Sequence, residues 1–112
     1  SGVRSLIISK NNDLISGSFD SSIKIWNLTT GVCKKTLTEH TNGIEALEIS
    51  KFNELVSGSS DNTIKIWNLT TGKSIKTLFG HSDAILSLIF NQANMLISGS
   101  RDKTIKFWNM TT

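Results

Sequence analysis

The chain has 112 residues, 38% hydrophobic and 19% charged, with a formal net charge of +3. That length suits one small domain or part of one, excludes a two-domain enzyme, and contains no apolar run near the roughly 18–20 residues that cross a bilayer, so no membrane role is expected. The single Cys33 excludes an intramolecular disulfide framework and a cysteine-based zinc site and reads as a packed small side chain; with no secretory leader at Ser1–Arg4, a cytoplasmic or nuclear setting is expected.

Along the chain, apolar residues alternate over short runs, and no stretch keeps helical spacing for the ~10 residues a helix needs. Strands are predicted at Val3–Ile8, Leu14–Gly17, Ser22–Trp26 and Val32–Leu37, then at Ile44–Ile49, Glu54–Gly58, Thr63–Trp67 and Lys73–Leu78. A last group falls at Ala84–Phe90, Met95–Gly99 and Thr104–Trp108. Asn11-Asn12-Asp13, Phe52-Asn53 and Gln92-Ala93-Asn94 supply the first turn of each group, and Asp20-Ser21, Asp61-Asn62 and Asp102-Lys103 the second. Thr29-Thr30-Gly31 and Thr70-Thr71-Gly72 supply the third, where glycine reaches the left-handed conformation that β-branched residues avoid. Connections this short make successive strands antiparallel hairpins, so each group is a meander.

The groups are copies of one unit. Trp26, Trp67 and Trp108 stand 41 residues apart, as do Asp20, Asp61 and Asp102, Gly17, Gly58 and Gly99, and the pair His40 and His81. Between residues 12–30 and 53–71, 14 of 19 positions are identical. Each meander carries large apolar residues on one face and apolar or small ones on the other, so it must be covered on both sides, the logic of a radial or stacked array. Lys24, Lys65 and Lys106 belong to the repeat. Of the other lysines, Lys34, Lys35, Lys73, Lys76 and Lys103 are loosely clustered without interleaved aromatics, and read as solvated surface with no nucleic-acid site.

Leu-Val-Ser-Gly-Ser-x-Asp-x-Thr-Ile-Lys-Ile-Trp-Asn at residues 55–68, with His40 21 residues before Asp61, resembles the WD40 repeat, whose units are the blades of a β-propeller. The resemblance implies an all-β fold of four-stranded antiparallel blades and an incomplete ring of about three. Blade one spans 1–39, blade two 40–80, and blade three 81–112 without its outer strand. Two departures stand out: the final Asp of the eponymous Trp-Asp pair is Asn27, Asn68 and Asn109, and the Gly before His is Glu39 in one copy and Gly80 in the other.

The resemblance also implies a structural hydrogen-bond network of Asp to His, His to Ser and Ser to Trp. Its members are His40, Ser57, Asp61 and Trp67 in blade two and His81, Ser98, Asp102 and Trp108 in blade three. Blade one offers Ser16, Asp20 and Trp26 without the His of the preceding turn. The same residue types could pass for a Ser-His-Asp nucleophilic set, but a hydrolase needs one triad beside one cleft, whereas this group returns with each blade. No phosphate loop, isolated carboxylate pair or metal-ligand cluster is present, so no catalytic, metal or cofactor role is expected. The Asn-x-Thr patterns at Asn27, Asn68 and Asn109 read as strand-end features rather than glycosylation sites.

Function in the family lies at loops on one face of the propeller, and its contact positions map to Gly2, Arg4 and Phe19, to Gly43, Glu45 and Ser60, and to Ala84, Leu86 and Arg101. The expected partner-binding residues are therefore Arg4, Phe19, Glu45, Ser60, Leu86 and Arg101, where the copies differ most and where aromatic and Arg anchors occur. The implied role is a non-catalytic scaffold for protein or peptide partners. The alternative is a self-assembling structural segment that pairs with another copy or with the remainder of a longer propeller. A bare blade face of about 300 Å² forfeits ~5–8 kcal/mol at ~25 cal/mol per Å², which favours covering it by one of these routes.

Overall fold

The computed structural model describes residues 2–109. Among them, strands β1 (Val3–Ile8), β2 (Leu14–Ser18), β3 (Ile23–Trp26) and β4 (Cys33–Leu37) form one antiparallel sheet in the order β1-β2-β3-β4. β5 (Ile44–Ile49), β6 (Leu55–Ser59), β7 (Ile64–Asn68) and β8 (Lys73–Leu78) form the second in sequential order, and β9 (Ile85–Phe90), β10 (Met95–Ser100) and β11 (Ile105–Asn109) the third. No helix occurs among the described residues, so none is long and apolar enough to cross a membrane. The expected boundaries at Ser1 and at Met110–Thr112 lie outside the described residues.

Several strand ends differ by one residue from the pattern-based ranges, and turn hydrogen bonds account for the shifts. The second strand of each sheet runs on to Ser18, Ser59 or Ser100, because that residue's carbonyl closes the turn by accepting from Ser21, Asn62 or Lys103, each at 3.2 Å. β6 starts at Leu55 rather than Glu54 because Glu54 is bound into the preceding turn, its carbonyl accepting from Ser50 N at 2.9 Å. Gly31 and Gly72 have φ of 75°, as the turn demands. Asn12, Asn53, Asn94 and Asn62 also adopt positive φ, which asparagine tolerates, and Ser21 and Lys103 do so with φ of 73° and 72°.

The sheets form an open fan, with sheet two between the others and β1, β5 and β9 side by side along one edge. Period-two alternation builds a separate core in each gap. Ile15, Ile23, Ile25 and Leu37 of sheet one meet Ile44, Leu55 and Trp67 of sheet two. On the opposite face of sheet two, Val56, Ile64 and Ile66 meet Ile85 and Leu96 of sheet three. Adjacent residues Leu55 and Val56 thus serve different cores, and every residue of β6 is buried.

The gap between sheets is set by glycine. A Cβ at Gly17 would lie 2.4 Å from Ile44 Cγ2, and one at Gly58 would lie 2.5 Å from Ile85 Cγ2. At Gly99 a Cβ would meet only Ser87 Oγ, at 2.8 Å, which can rotate away. Gly58→Ala should therefore cost about 1–3 kcal/mol through overpacking, while Gly99→Ala costs clearly less. Urea-unfolding midpoints of the two variants check this, and equal losses would contradict the packing account.

Candidate functional site

Each repeat places a serine on its second strand, an aspartate in the following turn and a tryptophan on its third strand, and in sheets two and three the loop before the first strand brings histidine to them. In sheet two, His40 Nδ1 lies 2.7 Å from Asp61 Oδ2, His40 Nε2 lies 2.7 Å from Ser57 Oγ, and Trp67 Nε1 donates to Ser57 Oγ at 2.8 Å. Sheet three repeats the arrangement with His81, Asp102, Ser98 and Trp108 at 2.8, 2.7 and 2.8 Å. An indole N–H only donates, so the serine oxygen accepts from it and gives its own proton to the imidazole Nε2. A neutral ring then carries its proton on Nδ1 and donates it to the carboxylate.

Burial works against the charged form of Asp61, yet hydrogen bonds from His40 and Thr63 outweigh it and hold the carboxyl well below the usual carboxylate range. Asp102 is lowered likewise, first by Thr104 and then by His81. Ser57 and Ser98 are fully buried and already engaged by tryptophan, so no substrate carbonyl can approach either hydroxyl. The geometry of the relay resembles a hydrolase triad, while its burial suits it to tying the loop before a sheet to that sheet's second and third strands.

In sheet one, Ser16 and Trp26 are joined at 3.0 Å and Asp20 sits in the following turn, where Ser22 holds its carboxyl below the ordinary range. Asn27 and Asn68, in place of the expected aspartate, accept from two backbone amides each: Thr29 and Thr30, and Thr70 and Thr71. The amide oxygen thus closes the turn without a charge. Cys33 is half-buried, with Sγ 3.4 Å from the Lys35 carbonyl. Among the described residues, no group of three or more His, Cys, Asp and Glu could hold a metal.

The expected contact residues come together through a device that periodicity did not reveal. The register of β1 against β2 skips from Val3 to Ser5, that of β5 against β6 from Ile44 to Ala46, and that of β9 against β10 from Ile85 to Ser87. Arg4, Glu45 and Leu86 are therefore the extra residues of three β-bulges, which aim them out of the ladder. The residue after each second strand is tied to the start of the first, Phe19 N to Gly2 O at 3.0 Å, Ser60 N to Gly43 O at 2.9 Å, and Arg101 N to Ala84 O at 3.0 Å. Bulge and turn thus share one rim.

Arg4 lies over the Phe19 ring at 4.2 Å and donates to Glu45 Oε1 at 2.8 Å across the gap between sheets, while Ser60 Oγ donates to Glu45 Oε2 at 2.7 Å. Desolvation opposes ionisation of Glu45, but Ser60 and Arg4, with Arg101's charge behind them, leave its carboxyl below the usual range. Phe19, Leu86 and Arg101 are exposed. On the opposite rim, a cleft of about 410 Å³ opens between sheets one and two beside Asp13, Lys34, Phe52 and Asn68.

Three stretches, residues 1–27, 31–68 and 72–109, match the family described as WD domain, G-beta repeat. The chain belongs to the WD40 family. Its fold is that of propeller blades: it superposes on the crystal structure of the WD40 beta propeller domain of Doa1 with a TM-score of 0.90 at 24% identity, covering 96% of this chain and 36% of that one. It also matches the crystal structure of the computationally designed Ika4 protein, with a TM-score of 0.85 and 38% identity, covering 96% of this chain and 66% of that one. The chain thus spans about a third and just under two thirds of these two structures. No curated protein matches it.

The lowered pKa values of Asp61 and Asp102 fix a pH dependence. Their contribution to stability is complete above about pH 5, where an unfolded Asp with a pKa of ~3.9 is almost fully ionised, and is lost progressively as pH falls from there through the lower folded values. Asp61→Ala should cost about 1–3 kcal/mol at pH 7 by orphaning His40, and should flatten the acid limb of stability against pH. Denaturant titrations from pH 7 to pH 2 test both, and an unchanged acid limb would contradict the assignment.

Proposed function

We propose that the chain is a non-catalytic protein–protein interaction scaffold, binding a protein or peptide at the rim formed by Arg4, Phe19, Glu45, Ser60, Leu86 and Arg101. WD40 propellers generally serve this purpose, and blade boundaries at 1–39, 40–80 and 81–112 divide the rim into three matching segments. The observation that carries the reading is the continuity of the strip across the sheets, with an Arg-capped aromatic ring at one end, a carboxylate in the middle and exposed Leu86 and Arg101 at the other. Such a strip supplies aromatic and Arg anchors on rigid strand ends, and Arg101 can pair with an acidic group of a partner. Affinity capture should return partners that a Phe19→Ala/Arg101→Ala double variant binds at least about tenfold more weakly, with an unchanged unfolding midpoint. Equal capture by both proteins would remove the rim from consideration.

A second reading, self-assembly with another copy or with the remainder of a longer propeller, is favoured by the end faces. Ile64 and Ile66 are 0% and 4% exposed, whereas their counterparts Ile105 and Phe107 are 67% and 63% exposed. At the other end, Leu6 and Ile8 are 62% and 53% exposed, while their counterparts Leu47 and Ile49 pack against a core. These two faces are the two halves of an interior gap, so copies can meet head to tail. Light scattering after gel filtration should give an oligomer that Ile105→Asp/Phe107→Asp converts to monomer. A stable monomer of the unaltered chain at tens of micromolar would exclude self-assembly and leave the scaffold reading untouched.

A further inference from the structure

The cleft between sheets one and two, on the rim opposite the bulges, holds two charges left unneutralised among the described residues. Glu54, in the turn between β5 and β6, and Lys35, on β4, both line it and both are half-buried. Among the described residues, neither the Glu54 carboxylate nor the Lys35 ammonium forms an ion pair, with the other or with any third group. Charges drawn partly out of water are ordinarily paired, because the lost hydration is otherwise uncompensated.

The repeat explains why Glu54 is left open. Asp13 holds the same slot in sheet one, where Lys34 closes it at 2.7 Å. One period on from Lys34 stands Ile75, which has no charge to offer Glu54, and one period on from Glu54 the slot holds Met95. The open charges therefore belong to this gap and are not a property of the 41-residue unit. They also lie at opposite ends of the cleft. Glu54 sits in the turn between the two strands nearest the β1–β5–β9 edge, whereas Lys35 is on the strand farthest from it. A Cβ at Gly72 would lie 3.3 Å from Lys35 Cδ, so the lysine stem rests on the turn between β7 and β8. Ile25 and Leu69 supply apolar lining, and Phe52 is 67% exposed. Asn68 Oδ1 is taken by the amides of Thr70 and Thr71, which leaves Nδ2 to donate to a ligand carbonyl.

We propose that this cleft binds an extended segment of a partner protein carrying an acidic and a basic side chain two residues apart, the acidic one on Lys35 and the basic one on Glu54. The volume of about 410 Å³ falls within the roughly 300–1,000 Å³ of ligand pockets and gives room for a short piece of chain. In an extended chain, residues i and i+2 share a face about 6.6 Å apart, so both charges enter the cleft while the residue between them faces water. Adjacent charges would point to opposite faces, and two like charges would set one against its own sign. The cleft is on the rim opposite Arg4, Glu45 and Arg101, and stands whether or not that strip binds a partner.

The test is a ¹⁵N NMR titration of the full chain, at low salt, with the capped peptide Thr-Glu-Thr-Arg-Thr and with the same residues in reverse order. The amides of Lys35, Glu54 and Leu69 should shift saturably with at least one of the two. Lys35→Gln and Glu54→Gln should each weaken that binding by about fivefold, and both variants should keep the unfolding midpoint of the unaltered chain. Capped Thr-Glu-Arg-Thr-Thr, with its charges on opposite faces, and capped Thr-Gln-Thr-Gln-Thr should bind the unaltered chain more weakly by a similar factor, and added salt should shrink the difference. These peptide comparisons decide the matter even if a variant loses its fold. The proposal is overturned by the absence of any saturable shift, by equal binding of the charged and neutral peptides or of the two spacings, by unchanged affinity in both variants, or by shifts centred on Phe19 and Arg101.

Discussion

The fold rests on the close approach of Ile44 to Gly17 and of Ile85 to Gly58. A four-stranded meander with apolar residues on both faces cannot stand alone, because either face left in water forfeits much of its burial free energy. Glycine on the second strand lets the next sheet's first strand settle directly onto the backbone. The flanking Ile, Leu, Val and Trp side chains then close around that contact to make a core in each gap. Everything else follows from this spacing: the fan, the alignment of β1, β5 and β9, and the rim they share.

The repeat made much of this legible. A period of 41 with Trp, Asp and Gly in step located the strands to within a residue, and the two-faced apolar pattern required stacking. The bulges at Arg4, Glu45 and Leu86 were not legible, because an extra residue in a ladder changes hydrogen-bond register without changing composition. The left-handed Ser21 and Lys103 were hidden for a related reason: the turn imposes its backbone angle on whatever residue occupies the slot, and only Asn62 announces it chemically. Phe19, Arg4 and Glu45 stood out as places where copies differ. That they bond to one another emerges only once adjacent sheets are set side by side.

Two kinds of polar group divide the work. The relays at His40 and His81 are buried, fully bonded and nearly the same in both sheets, so they stiffen the loops from which the rim projects. The rim residues are exposed or half-buried and differ from copy to copy, and the bulges turn them away from the ladder without disturbing the strands beneath. Variation is thereby confined to positions where a change of side chain leaves the cores intact.

The Arg4–Glu45 bond joins residues one full period apart, which exposes a rule about duplicated proteins. Stacking similar units brings residues near their own replicas. Asn53 meets the neighbour of its replica Asn12, donating to Asn11 at 3.3 Å across the same gap. At the bulge slot the replicas touch directly, and two like charges held at that distance would repel. Arg4 and Glu45 carry opposite signs, so divergence of the two copies turns the contact into a bond.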